Sequence, residues 1–265
     1  MRKPAVAGTF YPAQKHVLAN DLDTMLKAVK PVVPGAYPKA IVVPHAGYRY
    51  SGPTAALAYA QLAAGRAAIS RVILLGPVHR VPVRGLALPG ADVFATPLGE
   101  IALDACAIAS IAGMRQVTIS PAAHALEHSL EVQLPFLQTV LDDFTLVPLA
   151  VGDATPPEVA QVLEALWGGP ETVIVISSDL SHFLPYRTAQ AVDRETVRRI
   201  LQLENSLTHE QACGGTPVNG LLLAAHRHQL QPELLGLCNS GDTTGNRERV
   251  VGYASFVFTE EPDNA

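Results

Sequence analysis

Short apolar runs recur along the chain, bounded by glycine or proline and mostly followed by a helical pattern. The runs cover residues 40–43, 72–75, 146–151, 173–176, 234–237 and 250–258. Runs that are continuous rather than alternating are typical of strands buried on both faces of a sheet. Helical patterns occupy residues 17–29, 53–64, 103–112, 129–141, 157–167, 189–204 and 217–229. The alternation predicts an α/β fold in which helices cover a parallel or mixed central sheet.

The composition supports a well-covered interior. Only 16% of the 265 residues are charged, which is below the ~25% typical of soluble domains. No internal repeat, Ser- or Gly-rich linker or change of composition divides the chain, so we expect one domain over residues 1–265. Residues 83–101 interrupt the alternation with two short apolar runs around a Pro-Gly turn, which indicates a hairpin.

Charge and hydropathy argue against two classes of partner. The net charge is −5 and the basic residues are scattered, so the chain lacks the basic stripe expected of a nucleic-acid-binding protein. The longest stretches free of charged residues, 51–65 and 211–225, are too short to cross a bilayer. No secretory signal pattern follows Arg2 and Lys3, so we expect a cytoplasmic protein whose three cysteines are reduced thiols.

Three histidines follow apolar runs directly. His45 follows IVVP, His79 follows ILLGPV, and His182 follows VIVISSDLS, in a loop that also contains Asp179. The carboxyl ends of parallel strands meet at one edge of a sheet, where ligands and catalytic groups gather. We therefore expect these side chains to share a cleft.

Two further segments carry reactive side chains. In EHSLEVQLPFLQ, His128 and Glu131 are three residues apart at a helix start and so share a face. They could both contact a ligand, or Glu127 or His128 could only cap the helix. In ACGGTPVNG, Cys213 lies near a helix N-terminus, where the helix dipole favours the thiolate.

Two imidazoles and one thiolate can form a metal site with open coordination positions. His45, His79 and Cys213 would supply three ligands, and Fe(II), copper or zinc would each accept them. The residues are far apart in sequence and form no compact ligand motif, so the spacing alone does not select the metal.

The motifs together resemble the Memo family, whose prokaryotic members are called AmmeMemoRadiSam system protein B. The matching segments are PAVAGTFYP, VPHAGYRYSG, ILLGPVHRVP, TPLGEI, EHSLEVQLPFLQ, VISSDLSHF, CGGTPVNGLL and VVGYASFVF, in that order over nearly the whole chain. The resemblance implies a three-layer fold like that of the class III extradiol ring-cleaving dioxygenases, with a central sheet flanked by helices.

The resemblance also implies a set of site residues. The family's metal site corresponds to His45, His79 and Cys213, and Asp179, His182 and His128 would line the same pocket. The dioxygenases use a carboxylate where this chain has Cys213, so dioxygenase activity does not follow from the fold. The family's name records a genomic association with an AMMECR-type protein and a radical SAM protein, which suggests these as partners.

Three functions are compatible with these residues. The first is a non-haem iron oxidoreductase in which His182 or His128 acts as acid or base and Asp179 orients an imidazole. The second is a non-catalytic component that binds a metal, a peptide or a redox partner within the three-protein system. The third is cysteine-based acyl transfer, which requires a histidine within hydrogen-bonding distance of Cys213.

Overall fold

The computed structural model describes residues 1–30 and 37–260 of the chain. Its strands are β1 (Ala40–Val43), β2 (Arg71–Pro77), β3 (Leu86–Leu88), β4 (Val93–Thr96), β5 (Gly99–Ala102), β6 (Val117–Ile119), β7 (Thr145–Val151), β8 (Thr172–Ser177), β9 (His182–Leu184), β10 (Gln231–Asn239) and β11 (Val250–Thr259). Its α-helices are α1 (Lys15–Lys27), α2 (Tyr48–Leu62), α3 (Ala105–Ile111), α4 (Pro121–Ala125), α5 (His128–Glu131), α6 (Leu134–Val140), α7 (Pro156–Leu166), α8 (Tyr186–Leu201), α9 (Gly215–Arg227) and α10 (Ser240–Thr244).

A nine-stranded mixed sheet forms the centre of the molecule. Eight strands follow one another in the order β10-β11-β1-β8-β2-β7-β3-β6, and β9 pairs separately with β11. The four central strands β1, β8, β2 and β7 are mutually parallel, whereas β11 and β3 join them antiparallel. The carboxyl ends of β1, β8 and β2 therefore lie side by side at one edge of the sheet.

Helices cover both faces of this sheet. Along β1, Ile41 and Val43 belong to one buried cluster, which also contains residues of α1, α2 and α6. Ala40 and Val42 point to the other face and pack in a second cluster with residues of α3, α7, α8 and α9. A strand with apolar residues on both faces is buried on both faces, which explains the continuous apolar runs. The predicted three-layer α/β architecture is confirmed.

Several element boundaries differ from the sequence prediction. The helix expected at 53–64 begins at Tyr48, so Pro53 lies inside α2. The helix expected at 129–141 is divided into α5 and α6. The hairpin expected within 83–101 is present as β4 and β5, but β3 leaves that segment to join the main sheet.

The single-domain organisation stays a prediction. That prediction spans residues 1–265, and 31–36 and 261–265 lie outside the described part of the chain. Within residues 1–30 and 37–260, no helix combines the length and apolarity needed to cross a membrane.

Gly252 of β11 permits a close approach between the sheet and α8. A Cβ atom at Gly252 would lie 2.1 Å from a carboxylate oxygen of the buried Asp193. Asp193 cannot move away freely, because it accepts a hydrogen bond from the backbone N–H of Ser181 at 3.0 Å. Gly252 itself donates to the carbonyl of Ser181 at 2.9 Å.

We therefore expect Gly252→Ala to lower the free energy of unfolding by about 1–3 kcal/mol, because the added methyl group overpacks this contact. Gly113→Ala is the matched control, since no heavy atom lies within 4 Å of its added Cβ. Urea denaturation measures both, and equal stability of the two variants would contradict the prediction.

Candidate metal site

His45 lies just beyond β1 and is buried against the end of β8. Its Nδ1 is 2.9 Å from the hydroxyl of Ser177. That hydroxyl donates its proton to the carbonyl of Ser129 at 2.6 Å and accepts from the side-chain amide of Gln133 at 2.8 Å. Since its single proton is already used, Ser177 must also accept from His45, so the proton is on Nδ1. The Nε2 atom of His45 is therefore unprotonated and can accept a proton or bind a metal ion.

His79 lies beyond β2, and its orientation is set by Glu127. The carboxylate of Glu127 accepts from the backbone N–H of His79 at 2.6 Å and from its Nδ1 at 2.8 Å. A carboxylate can only accept here, so Nδ1 is protonated and Nε2 is unprotonated in the neutral ring. Burial tends to raise the pKa of Glu127, but hydrogen bonds from His79 and Ser129 outweigh it and lower that pKa to about 2.

His128 completes a cluster of three imidazoles. It is the first residue of α5, and its Nδ1 lies 3.3 Å from the same Glu127 carboxylate. One ring nitrogen from each of His45, His79 and His128 lies within 4.8 Å of the others. Two nitrogens bonded to one ion at ~2.1 Å can be at most about 4.2 Å apart, so a small side-chain movement would allow common ligation.

The protonation states of the cluster favour metal binding. Burial and the neighbouring imidazoles lower the pKa of His45 well below its usual value. Burial and His79 likewise lower the pKa of His128 to about 4. Neutral imidazole is the ligating form, and a second nitrogen held by a hydroxyl or carboxylate is typical of metal-binding histidines. The donor set therefore fits a divalent transition metal.

Cys213 adjoins the cluster through His45. Its Sγ lies 3.3 Å from the unprotonated Nε2 of that ring. The position depends on Gly214, where a Cβ atom would lie 2.7 Å from the side chain of Ser178, so a glycine lets the turn approach β8 closely. Burial and the neighbouring Asp179 raise the pKa of Cys213 to about 12. The expected thiolate is therefore wrong for the metal-free protein, because burial outweighs the helix dipole.

Two cavities open beside the cluster. The larger, of about 820 Å³, is lined by His79, Cys213, His182 and several apolar side chains. The smaller, of about 420 Å³, reaches His128, Asp179 and His182 from the other side. These volumes are in the range of small-molecule sites, so an organic ligand could lie next to an ion held by the histidines.

The profile of the Memo-like protein family matches residues 2–257 of the chain. The chain belongs to the Memo family. Relatives described as MEMO1 family proteins include one from Metallosphaera sedula, 33% identical over 98% of this chain and 99% of the relative. Another, from Aquifex aeolicus, is 35% identical over 97% of this chain and 99% of the relative.

A solved structure supports the fold of this Memo family chain. The crystal structure of an uncharacterized protein from Escherichia coli K12 aligns with a TM-score of 0.52 at 15% sequence identity. The alignment covers 82% of this chain and 98% of the other. Similarity at this level shows the fold alone. The shared fold agrees with the three-layer architecture expected for the Memo family.

The structure brings the six site residues expected from the sequence close together. His79, Cys213 and His182 line the larger cavity, His128, Asp179 and His182 line the smaller one, and the buried His45 contacts Cys213. Asp179, however, accepts a hydrogen bond from the backbone N–H of His45 at 2.7 Å rather than from an imidazole. Burial raises the pKa of Asp179 to about 7. The Nδ1 of His182 donates to the carbonyl of Leu180 at 2.8 Å.

Glu131 does not contact the cluster. Its carboxylate binds the amino-terminal segment, including Arg2 and the hydroxyl of Tyr11. Glu127, considered from the sequence only as a helix cap, does cap α5 by accepting from the N–H of Ser129 at 3.0 Å, and it also accepts from Nδ1 of His79 and lies 3.3 Å from Nδ1 of His128. The sequence signal that could have identified this role is the position of Glu127 directly before His128. No local pattern identifies Ser177 as the residue that fixes the His45 tautomer.

Proposed function

We propose that this Memo family chain is a metal-dependent oxidoreductase that binds Fe(II) through His45, His79 and Cys213. The observation that carries the proposal is the orientation of His45 and His79, whose Nδ1 atoms are both held by fixed acceptors. A ring nitrogen of each belongs to the cluster of three imidazoles, and His79 also lines a cavity large enough for an organic substrate. Copper and zinc are the alternative ions for the same donors.

Two side chains compete for the third coordination position. Cys213 contacts the unprotonated Nε2 of His45, whereas a ring nitrogen of His128 lies within 4.8 Å of one on each of the other two imidazoles. We favour Cys213 because a divalent cation stabilises the thiolate and binds sulfur strongly. His128 would then remain a neutral base next to the ligands, where it lines the smaller cavity.

The chain's own residues would contribute positioning and proton transfer. An iron ion supplies one-electron redox chemistry when it is bound. His128 and His182 line the smaller cavity, and burial lowers the pKa of both, so each is a neutral ring whose unprotonated nitrogen can accept a proton from substrate. Asp179 holds the backbone at His45 and so keeps that ring against Ser177.

Anaerobic Fe(II) titration tests the ligand set. We expect about one equivalent bound by the wild type and by His128→Gln, and occupancy well below one for Cys213→Ser. Cys238→Ser is the matched control, because that partly buried thiol contacts Thr54 outside the cluster, at 3.1 Å from its hydroxyl. If the wild type binds no iron, the proposal is overturned. If iron binding is lost in His128→Gln but kept in Cys213→Ser, the ligands are the three histidines.

Oxygen uptake then separates catalysis from binding. Consumption of O₂ by the iron-loaded protein in the presence of an organic substrate supports the oxidoreductase. Stoichiometric iron without turnover, together with co-purification of an AMMECR-type or radical SAM protein, would favour a non-catalytic metal-binding component instead.

A further inference from the structure

Phe183 has a backbone conformation that is rare for a bulky residue. Among the described residues other than glycine, positive φ angles occur at Phe183 (56°), Leu203 (55°) and Gln229 (56°). Leu203 and Gln229 each follow the C-cap residue of a helix, α8 and α9 respectively, where a left-handed residue commonly ends the helix. Phe183 has no such role, because it lies in the middle of β9.

The conformation of Phe183 belongs to a β-bulge. In the pairing of β9 with β11, His182 is opposite Val251 and Leu184 is opposite the adjacent Val250. Phe183 is therefore an extra residue without a partner in the ladder. Bulges of this kind occur next to functional sites, where they redirect a side chain.

The bulge places the Phe183 ring at the boundary of both cavities. Phe183 and His182 line the larger cavity and the smaller one alike. The ring is 59% exposed and therefore buries little apolar area within the protein. The guanidinium of Arg249 lies 5.0 Å from the ring centroid, which is within the distance of a cation–π contact.

The bulge accounts for the backbone angle of Phe183, but folding does not explain why a bulky aromatic residue occupies that position. A left-handed conformation is costly for a residue with a large side chain, and an exposed phenyl ring contributes little to the core. A phenyl ring at this position is accounted for if it contacts a ligand. The larger cavity offers an apolar surface formed by Pro77, Val78, Pro82, Val83, Val151 and Leu184, and its lining also includes the polar residues Asp153, His209 and Glu210.

We propose that Phe183 is a specificity-determining residue against which a flat apolar group of the organic ligand stacks beside the histidine cluster. The ligand class is an aromatic molecule, or one with an equally flat apolar portion. The inference rests on the proposed function only in placing that ligand next to the metal site. Its test uses metal-free protein, so failure of metal binding and failure of ligand stacking are separate results.

Fluorescence titration with N-phenyl-1-naphthylamine, a neutral aromatic dye, tests the proposal on the full chain with chelator present. We expect the wild type to bind the dye and Phe183→Tyr, which keeps the ring, to bind it within about twofold. Phe183→Gly should weaken binding about tenfold, because it removes the stacking surface. Its melting temperature should stay within about 2–4 °C of wild type or rise, since glycine tolerates the positive φ.

Leu203→Gly is the matched control, because it makes the same backbone change at a helix end away from the lining of both cavities. Dye binding by this variant should equal that of the wild type. The proposal is overturned if the wild type does not bind the dye, or if Phe183→Gly binds it as tightly as the wild type. A loss of binding in Leu203→Gly equal to that in Phe183→Gly would also overturn it.

Discussion

Replacing Glu131 with alanine is expected to lower the free energy of unfolding by about 3–5 kcal/mol. The Glu131 side chain is completely buried and forms an ion pair with Arg2, which is also buried. It accepts further hydrogen bonds from the backbone N–H groups of Ala5 at 2.7 Å and Val6 at 2.9 Å, and from the hydroxyl of Tyr11 at 2.7 Å. Removing the carboxylate leaves these donors without their acceptor inside the protein.

Urea denaturation of Glu131→Ala and the wild type measures this effect. Asp23→Asn is the control, since Asp23 pairs with Lys27 on the exposed surface of α1 and its loss should change stability by at most about 0.5 kcal/mol. If Glu131→Ala lowers the free energy of unfolding by less than about 1 kcal/mol, the contacts of Glu131 with the amino-terminal segment are not important for stability.

Glu127→Gln is expected to weaken metal binding by about 10–100-fold, the range typical for loss of a carboxylate behind a ligating histidine. The carboxylate accepts from Nδ1 of His79 and lies 3.3 Å from Nδ1 of His128. An amide has one acceptor oxygen and two N–H donors, so it cannot hold both the backbone and the ring of His79 in the same way. The His79 imidazole therefore loses its fixed direction, and His128 loses the adjacent negative charge.

Competition with a fluorescent chelator measures the dissociation constants for Zn(II) or Fe(II). Glu164→Gln provides a matched control, because Glu164 also accepts from a histidine, His228, at 2.8 Å. That histidine stacks on Trp167, with ring centroids 3.7 Å apart, and takes no part in the cluster. Affinity within twofold of the wild type for Glu127→Gln would show that the carboxylate serves only as a helix cap.

The central layer was predictable because burial on both faces produces a readable pattern. β1 matches the predicted run 40–43, and the predicted runs 72–75 and 173–176 lie inside the longer strands β2 and β8. Once those strands were placed, parallel pairing required His45, His79 and Asp179 to meet at one edge. The candidate site could therefore be located from strand ends without any compact ligand motif.

Features that depend on distant partners could not be predicted in this way. Arg2 and Glu131 are separated by 129 positions, and nothing in either local sequence specifies their contact. β6 and β9 have three residues each, too few to show a periodicity. The φ angle of Phe183 follows from its pairing with β11, which the sequence of β9 does not encode.

The proposed ligands come from distant parts of the chain, so a bound ion would be coupled to the folding equilibrium of the whole chain. His45 and Cys213 are 168 positions apart and meet only when β1, β8 and α9 are assembled. In the unfolded chain these donors are far apart and do not form the site. An ion that binds only the folded chain would therefore shift the folding equilibrium towards the folded state by mass action. At a free concentration one hundred times the dissociation constant, that shift is about 2.7 kcal/mol. The fraction of folded molecules would then depend on the free metal concentration around the protein.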